Sequence, residues 1–326
     1  MATAFRAPGR VNLIGEHTDY SGGLVLPVAI HLGITVTAER AGRITLVSGG
    51  ECVELAEDGS DESRGWGRYV AGVAHELAAL GRPAVGMDGQ VEADLPQGAG
   101  LGSSGAFAVA VALALCAVAD FELHPLELAL ACQRAEQRAV GVPSGILDQA
   151  AAVLGRERHA LLLNCDTLEH RWVALPEEIA ILVVDSGERH THEGSGYGER
   201  RRELEAGDPR RVRHVETENE RVRATVAALE HGEVQALGPL FAASHASLRD
   251  DYEVSTPALD RLVARALASG AFAARMTGGG FGGSIVALAE RDRAREVLDR
   301  IDARGWIVRS ANGATRRRTD SPPGRA

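Results

Sequence analysis

No lysine occurs anywhere in this chain; all 35 of its basic residues are arginine. That absence excludes several chemistries. A Walker-type P-loop requires a lysine after its second glycine, and a protein kinase requires one on its third strand. A Schiff-base mechanism has no amine to start from. Cysteine is scarce. Cys52, Cys116, Cys132 and Cys165 are widely spaced and form no C-x-x-C pair. Two of them fall in apolar helical stretches, so buried free thiols in a reducing cytoplasm are expected. The apolar run Ala106 to Ala119 has fourteen residues, short of the roughly 20 that span a membrane. The N-terminus, MATAFRAPGR, lacks the apolar stretch of a signal peptide. The net charge of −10 gives neither nucleic acid nor an anionic membrane a footing as partner.

What is present reads as an ordinary globular protein. The 326 residues are 45% apolar and 25% charged, enough for two domains with cores of their own. The stretch around which the rest is read is Gln97 to Ala106, QGAGLGSSGA, directly before the apolar run. Glycines let backbone N–H groups approach a ligand, and a helix starting there adds its positive end. An anion site is expected, for phosphate above all, with the Ser103 and Ser104 hydroxyls available to a metal ion or a phosphate oxygen. Gly100, Gly102 and Gly105 match G-x-G-x-x-G by spacing. A dinucleotide fold would also need a buried strand before the loop and a strand-ending acid about 20 residues later. The lead-in Gln90 to Leu95 alternates instead, as a half-exposed antiparallel strand does, and another helical stretch follows the apolar one. If phosphate is handled here, backbone amides, arginine and Mg²⁺ handle it.

Near the N-terminus, Val11, Leu13 and Ile14 suggest a short strand ending at Gly15. Glu16, His17, Asp19 and Tyr20 then fall within five positions, between two apolar segments. Carboxylates and an imidazole on a turn suit sugar hydroxyls, each of which donates and accepts. A metal site is the competing reading, weakened by the lack of a second nearby histidine. Glu51 to Gly65 reads as a loop and Trp66 to Leu80 as a helix, with Trp66 packing in the core or lining a base pocket. Pro125 to Val140 is a helix with a charged face that includes Glu136. Ser144 to Leu154 is another, with Asp148 in its first turn, serving the helix dipole or acting as a base. A change of domain is expected near Pro176, followed by a buried strand over Ile179 to Val184. The spacing places helices over Arg210 to Leu229 and Phe241 to Leu248, and one starting at Thr256-Pro257. MTGGGFGG, from Met276, holds five glycines in eight residues and implies close backbone approach. Asp292 to Arg304 reads as a helix closed by Gly305, and Ala314 to Ala326 as a mobile tail.

GRVNLIGEHTDY from Gly9, PQGAGLGSSGA from Pro96 and MTGGGFGG resemble, in that order, the three motifs of the GHMP small-molecule kinases. The first is the signature of the galactokinase branch; the second is shared across the superfamily. GVPSGILDQ, Tyr197 before Arg200-Arg201, and SHASLRDDYEVS from Ser244 are also similar to galactokinases. The resemblance implies an α+β GHMP kinase fold. Its N-terminal domain, 1–175, is like the second domain of ribosomal protein S5, and its C-terminal domain, 176–312, is ferredoxin-like, with 313–326 as a flexible tail. It implies transfer of the ATP γ-phosphoryl to the anomeric hydroxyl of D-galactose, in a cytoplasmic enzyme for which a monomer is the default. It also implies roles. Asp148 and Arg10 are catalytic. Glu16, His17, Asp19, Gly145 and Tyr197 contact the sugar. Gly98, Gly100, Leu101, Gly102, Ser103, Ser104 and Gly105 form the phosphate loop, and Trp66 lies near the adenine. Ser104 and Glu136 hold Mg²⁺. An N-acetylgalactosamine or arabinose kinase, and a non-catalytic sensor of sugar and ATP, are the alternatives.

Three departures stand out. Gly102 replaces a usual Ser, Gly105 a usual Ala, and Ser284 a common Cys. The chain also begins almost at the first motif, from which a looser sugar pocket or a weaker first sheet is expected.

Overall fold

Two strands, β1 (Thr3–Asn12) and β3 (Pro27–Ala41), run antiparallel along most of β1 and anchor a six-stranded sheet. The computed structural model describes residues 2–96, 98–141, 143–188 and 196–318. Next to β3 lies β6 (Gly86–Ala93), antiparallel, then β4 (Ile44–Ser48), parallel to β6, and β5 (Glu51–Leu55) at the edge. The other edge is β13 (Thr315–Arg318), antiparallel to β1.

Helix α2 (Ser103–Val118) packs on β1 and β3. It is apolar all round because it is covered all round, by α1 (Gly67–Ala79), α3 (Pro125–Val140) and α4 (Leu147–Leu154) as well as by the sheet. A three-stranded sheet of β2 (Leu24–Val25), β7 (His159–Asn164) and β8 (His170–Ala174) lies alongside.

In the C-terminal half, β9 (Ile179–Asp185) is buried throughout, as an IAILVV run on a sheet covered on both faces should be. Its sheet has the order β10 (Ala273–Thr277), β11 (Ser284–Glu290), β9, β12 (Gly305–Val308), all antiparallel. Helices α8 (Pro257–Ala268) and α9 (Ala294–Ile301) cover one face. Helices α6 (Pro209–His231) and α7 (Leu237–Asp250) cover the other. On that second face one core runs across the halves: Val11, Leu13 and Leu101 pack with Val183, Val222, Phe241 and Val286. The first motif and the glycine loop are therefore rooted in hydrophobic contacts with both halves.

Four details differ from the sequence reading. Glu51–Leu55, expected in a loop, is a strand, tolerated as polar because it lies at the sheet edge. Between Leu154 and Pro176, where the sequence reading places no strand, β7 and β8 pair. Asp302, at φ 49°, takes the left-handed cap of α9, and Gly305 begins β12. Thr315–Arg318, expected in a mobile tail, pairs with β1; residues 319–326 lie outside the described residues.

Candidate active site

The loop of the second motif takes its shape from alternate glycines. Gly98, Gly100 and Gly102 all sit at φ 70°, where a side chain is strained. Gly102 precedes α2 and, having no side chain, makes no cap bond to it, so the first N–H groups of the helix stay open to an anion. Leu101 points away, into the shared core. Arg10, on β1, fixes the loop from below. Its N–H donates to the Leu101 carbonyl at 2.9 Å, and its Nη1 donates to the Gly100 carbonyl. Gly278 of the third motif closes on the loop: a Cβ there would stand 3.4 Å from the Gly100 oxygen.

The same arginine donates from Nε to Asp148 Oδ1 at 2.7 Å. These two residues, 138 apart in sequence, form a partly buried ion pair at the mouth of the loop. Gly102 and Gly105 leave room for it, since a Cβ on either would meet Asp148 at 3.1 Å or less. Asp19 lies on the other side. Its carboxylate fills the space over Gly145, where a Cβ would stand 1.8 Å from Oδ2. Burial first, and then the charge of Asp148, pushes the Asp19 carboxyl up to about 7, against the pull of Arg10.

The first motif leaves β1 at Asn12 and turns through Gly15 (φ 100°) and His17 (φ 61°) before a single 3-10 turn over Asp19–Ser21. His17 is held in that unusual conformation by bonds at both ring nitrogens, to Tyr20 Oη at 2.8 Å and to the Gly279 carbonyl at 3.2 Å. A carbonyl only accepts, so Nε2 carries the proton and Nδ1 accepts from Tyr20. Burial, followed by the nearby His214, lowers the His17 pKa to about 3, so the ring is neutral. Tyr197, at the start of α5 (Tyr197–Glu205), packs 5.5 Å from His17 and 5.3 Å from Tyr20 between ring centroids.

Glu16, in the same turn, is tied into a buried network. It is 4% exposed and accepts from Asn12 Nδ2, Thr277 Oγ1 and the Gly278 N–H, each at 3.0 Å, beside Arg275 at 2.5 Å. The sequence reading paired none of these residues with Glu16, and it did not single out Arg275. The signal was present: Arg275 is a lone charge within a short run, Ala273–Thr277, that is otherwise apolar up to Thr277.

Ser104 and Glu136 meet across α2 and α3. The Glu136 carboxylate accepts from Gln149 Nε2 at 2.6 Å, from Ser144 Oγ at 3.3 Å and from the Ser104 hydroxyl. Burial first and Asp148 second raise its pKa, because no basic side chain among the described residues pairs with it. A buried carboxylate near the end of α3, with no ion pair among the described residues and beside the first-turn hydroxyl of α2, fits Mg²⁺, which takes one or two protein oxygens and completes its shell with phosphates and water. The described residues hold no cluster of three or more His, Cys, Asp or Glu ligands, so a metal enclosed by protein alone does not fit. Trp66, at the start of α1, stands edge-on to Phe107 of α2 at 5.9 Å, and Tyr69 joins Phe107 at 6.4 Å.

Three family models match this chain. The galactokinase galactose-binding signature covers residues 2–40, the GHMP kinase N-terminal domain residues 68–156, and the GHMP kinase C-terminal domain residues 225–306. A galactokinase of Chloroflexus aurantiacus is 42% identical over 88% of this chain and 84% of its own length. A galactokinase of Mycobacterium tuberculosis is 37% identical over 100% of this chain and 99% of its own. Among solved structures, Lactococcus lactis galactokinase complexed with galactose superposes with a TM-score of 0.89 at 30% identity, covering 96% of this chain and 95% of that one. Methanococcus jannaschii mevalonate kinase shares the fold, with a TM-score of 0.77 at 22% identity over 95% and 98% of the two chains. The glycine loop, the Arg10–Asp148 pair and the turn at Asp19 therefore stand within an α+β GHMP kinase fold, and this chain belongs to the galactokinase family.

Proposed function

We propose that this protein transfers the γ-phosphoryl group of ATP to the anomeric hydroxyl of D-galactose, giving galactose 1-phosphate and ADP. The observation on which this rests is the 2.7 Å Arg10–Asp148 pair, set between an uncapped helix start and the Asp19–Gly145 turn. Phosphoryl transfer passes through a loose transition state, so positioning and charge neutralisation supply most of the catalysis. In this reading the open amides of α2 and the glycine loop cradle the phosphates. Arg10 faces the transferring group, and Asp148 orients the sugar hydroxyl and accepts its proton or anchors its charge. Late proton transfer is tolerable in a loose reaction, so either role suits Asp148. Asp19, His17 and Tyr197 line the sugar side. Trp66 and Phe107 flank the adenine.

Ser104 and Glu136 would hold Mg²⁺, which neutralises phosphate charge when bound. The support is chemical: an uncompensated buried carboxylate beside a hydroxyl at the phosphate end of the cleft.

The test is ADP release, coupled to a spectroscopic signal, over a panel of galactose, N-acetylgalactosamine and arabinose, with the product identified by phosphorus NMR. Galactose-dependent ADP release with an anomeric phosphate is expected. Preference for another sugar would reassign the substrate, and binding of galactose and ATP without ADP release would make this a sensor.

A further inference from the structure

Arg275 lies within β10 with no exposed surface. A buried guanidinium is tolerated only when its charge is matched. Two carboxylates share it: Glu16 Oε2 at 2.5 Å and Glu218 Oε1 at 3.8 Å. Its Nε donates to Ser244 Oγ at 3.1 Å, and its Nη1 donates to the Leu13 carbonyl at 2.9 Å. Glu218, on α6, is equally buried. Its Oε1 accepts from the Gly15 N–H at 3.0 Å and from Ser244 Oγ at 2.7 Å, and its Oε2 accepts from Arg221 Nε at 2.7 Å. His214 Nε2 adds a bond to the Glu16 carbonyl at 3.1 Å. The backbone from Leu13 to Glu16, which leads into His17 and Asp19, is thus gripped by side chains of the C-terminal half.

We propose that Arg275 is a positioning residue for sugar recognition. Shared between Glu16 and Glu218, it lets the C-terminal half set the shape of the turn that presents His17 and Asp19. The proposal rests on reading that turn as the galactose site. It also explains why Glu16, for all its place in the signature, spends its carboxylate on Arg275, Asn12, Thr277 and Gly278. Lysine could not replace this arginine, because one ammonium cannot reach Glu16, Ser244 and the Leu13 carbonyl with the spread of a guanidinium.

The groups around Glu16 make the idea testable by sign. Arg275 faces it from β10, Glu218 and His214 from α6, and His17 from its own turn, while Arg221 pairs with Glu218 and His245 of α7 lies close to Arg275. Burial raises the Glu16 pKa, Arg275 opposes the rise and Glu218 adds to it. At Glu218 burial also opposes ionisation, but Arg275, His214 and Arg221 together outweigh it and hold the pKa low. Removing the Glu218 charge should therefore ease ionisation of Glu16, and weakening Arg275 should hinder it.

The experiment compares wild type, Arg275→Lys and Glu218→Gln in kcat/KM for galactose across about pH 5 to 9, with thermal melts of each and galactose affinity by calorimetry. Arg275→Lys should raise the galactose KM about tenfold, with smaller changes in kcat and in the ATP KM. Asp19, with its carboxyl at about 7, contributes one acid limb that all three proteins share; beside it, the Glu16 limb should move to higher pH in Arg275→Lys and to lower pH in Glu218→Gln. A purely structural role would lower the melting temperature and leave the limb in place. Limbs that stay put, or that move in the same direction, in variants that melt cooperatively would overturn the proposal. If Arg275→Lys does not fold, Glu218→Gln decides alone: a downward limb supports the proposal and an unmoved one overturns it. A wild type that shows no galactose-dependent ADP release would instead sink the functional reading, before either variant is compared.

Discussion

A methyl group on Gly105 would stand 2.6 Å from the Cβ of Asp148, closer than two such carbons can approach. Helix α2 therefore meets the start of α4 through bare backbone, and Gly102 repeats the arrangement one turn earlier, 3.1 Å from Asp148 Oδ2. In the resemblance to galactokinases these positions carry Ala and Ser; here both are Gly, and the Asp148 side chain uses the space.

Gly105→Ala should consequently push Asp148 off its contact with Arg10. A misplacement of about 1 Å at a reacting group costs on the order of 10²-fold in rate. The expected result is a drop in kcat of about tenfold to a hundredfold with the galactose KM little changed, measured by steady-state kinetics. Wild-type turnover in Gly105→Ala would mean that α4 shifts freely and that the tight approach has no catalytic meaning.

Asp148→Asn keeps the shape of the side chain and removes its charge. Loss of a general base typically costs about 10²–10⁴-fold in rate. A fall of kcat in that range is expected, with galactose still bound in a calorimetric titration. Turnover unchanged by the substitution would remove Asp148 from the chemistry and leave Arg10 to be explained without it.

Asp19 predicts a pH dependence of stability. Its ordinary pKa is 3.8 and its folded value about 7. Between the two, the folded chain keeps a proton that the unfolded chain has released. Stability therefore falls as pH rises through that window, and the full penalty is present above it. Asp19→Asn removes the charge, so the sugar-free variant should melt above wild type at pH values beyond about 7 and converge with it towards about pH 4. A gap that is constant across pH, or that widens on acidification, would contradict the assignment. The same variant should raise the galactose KM.

Local chemistry carried part of this structure into the sequence. Pro125–Val140 is a helix over the range read from it, because His124 caps it, Pro125 opens it and Gly141 closes it in the left-handed conformation. The glycine loop and the apolar helix behind it were equally legible, since positive φ and complete burial leave compositional traces. Contacts between distant segments leave none. Arg10 and Asp148 could be paired only through the resemblance, being 138 residues apart. Glu16 looked like a sugar ligand on its own turn; its buried partners Arg275 and Thr277 lie about 260 residues on, where no local pattern points back to it. Glu51–Leu55 escaped notice because an edge strand facing water need not alternate as a buried one does. Thr315–Arg318 escaped because three consecutive arginines read as a solvated tail, although backbone pairing with β1 asks nothing of their side chains.

Ser284 offers a test of packing away from the chemistry. It opens β11, between Thr277 and Asp185 on the neighbouring strands, with no exposed surface and no hydrogen-bond partner for its hydroxyl among the described residues. A buried hydroxyl left unpaired costs about 1–3 kcal/mol in lost hydration. Cysteine, common at this position in the resemblance, is a weak donor that behaves as a small hydrophobe and pays little of that cost. Ser284→Cys should therefore raise the urea midpoint with the m-value unchanged, and Ser284→Ala should do the same to a smaller extent because it leaves a small void. If both variants unfold at lower urea than wild type, the hydroxyl has a partner in solution, such as an ordered water, and the serine stabilises the third motif.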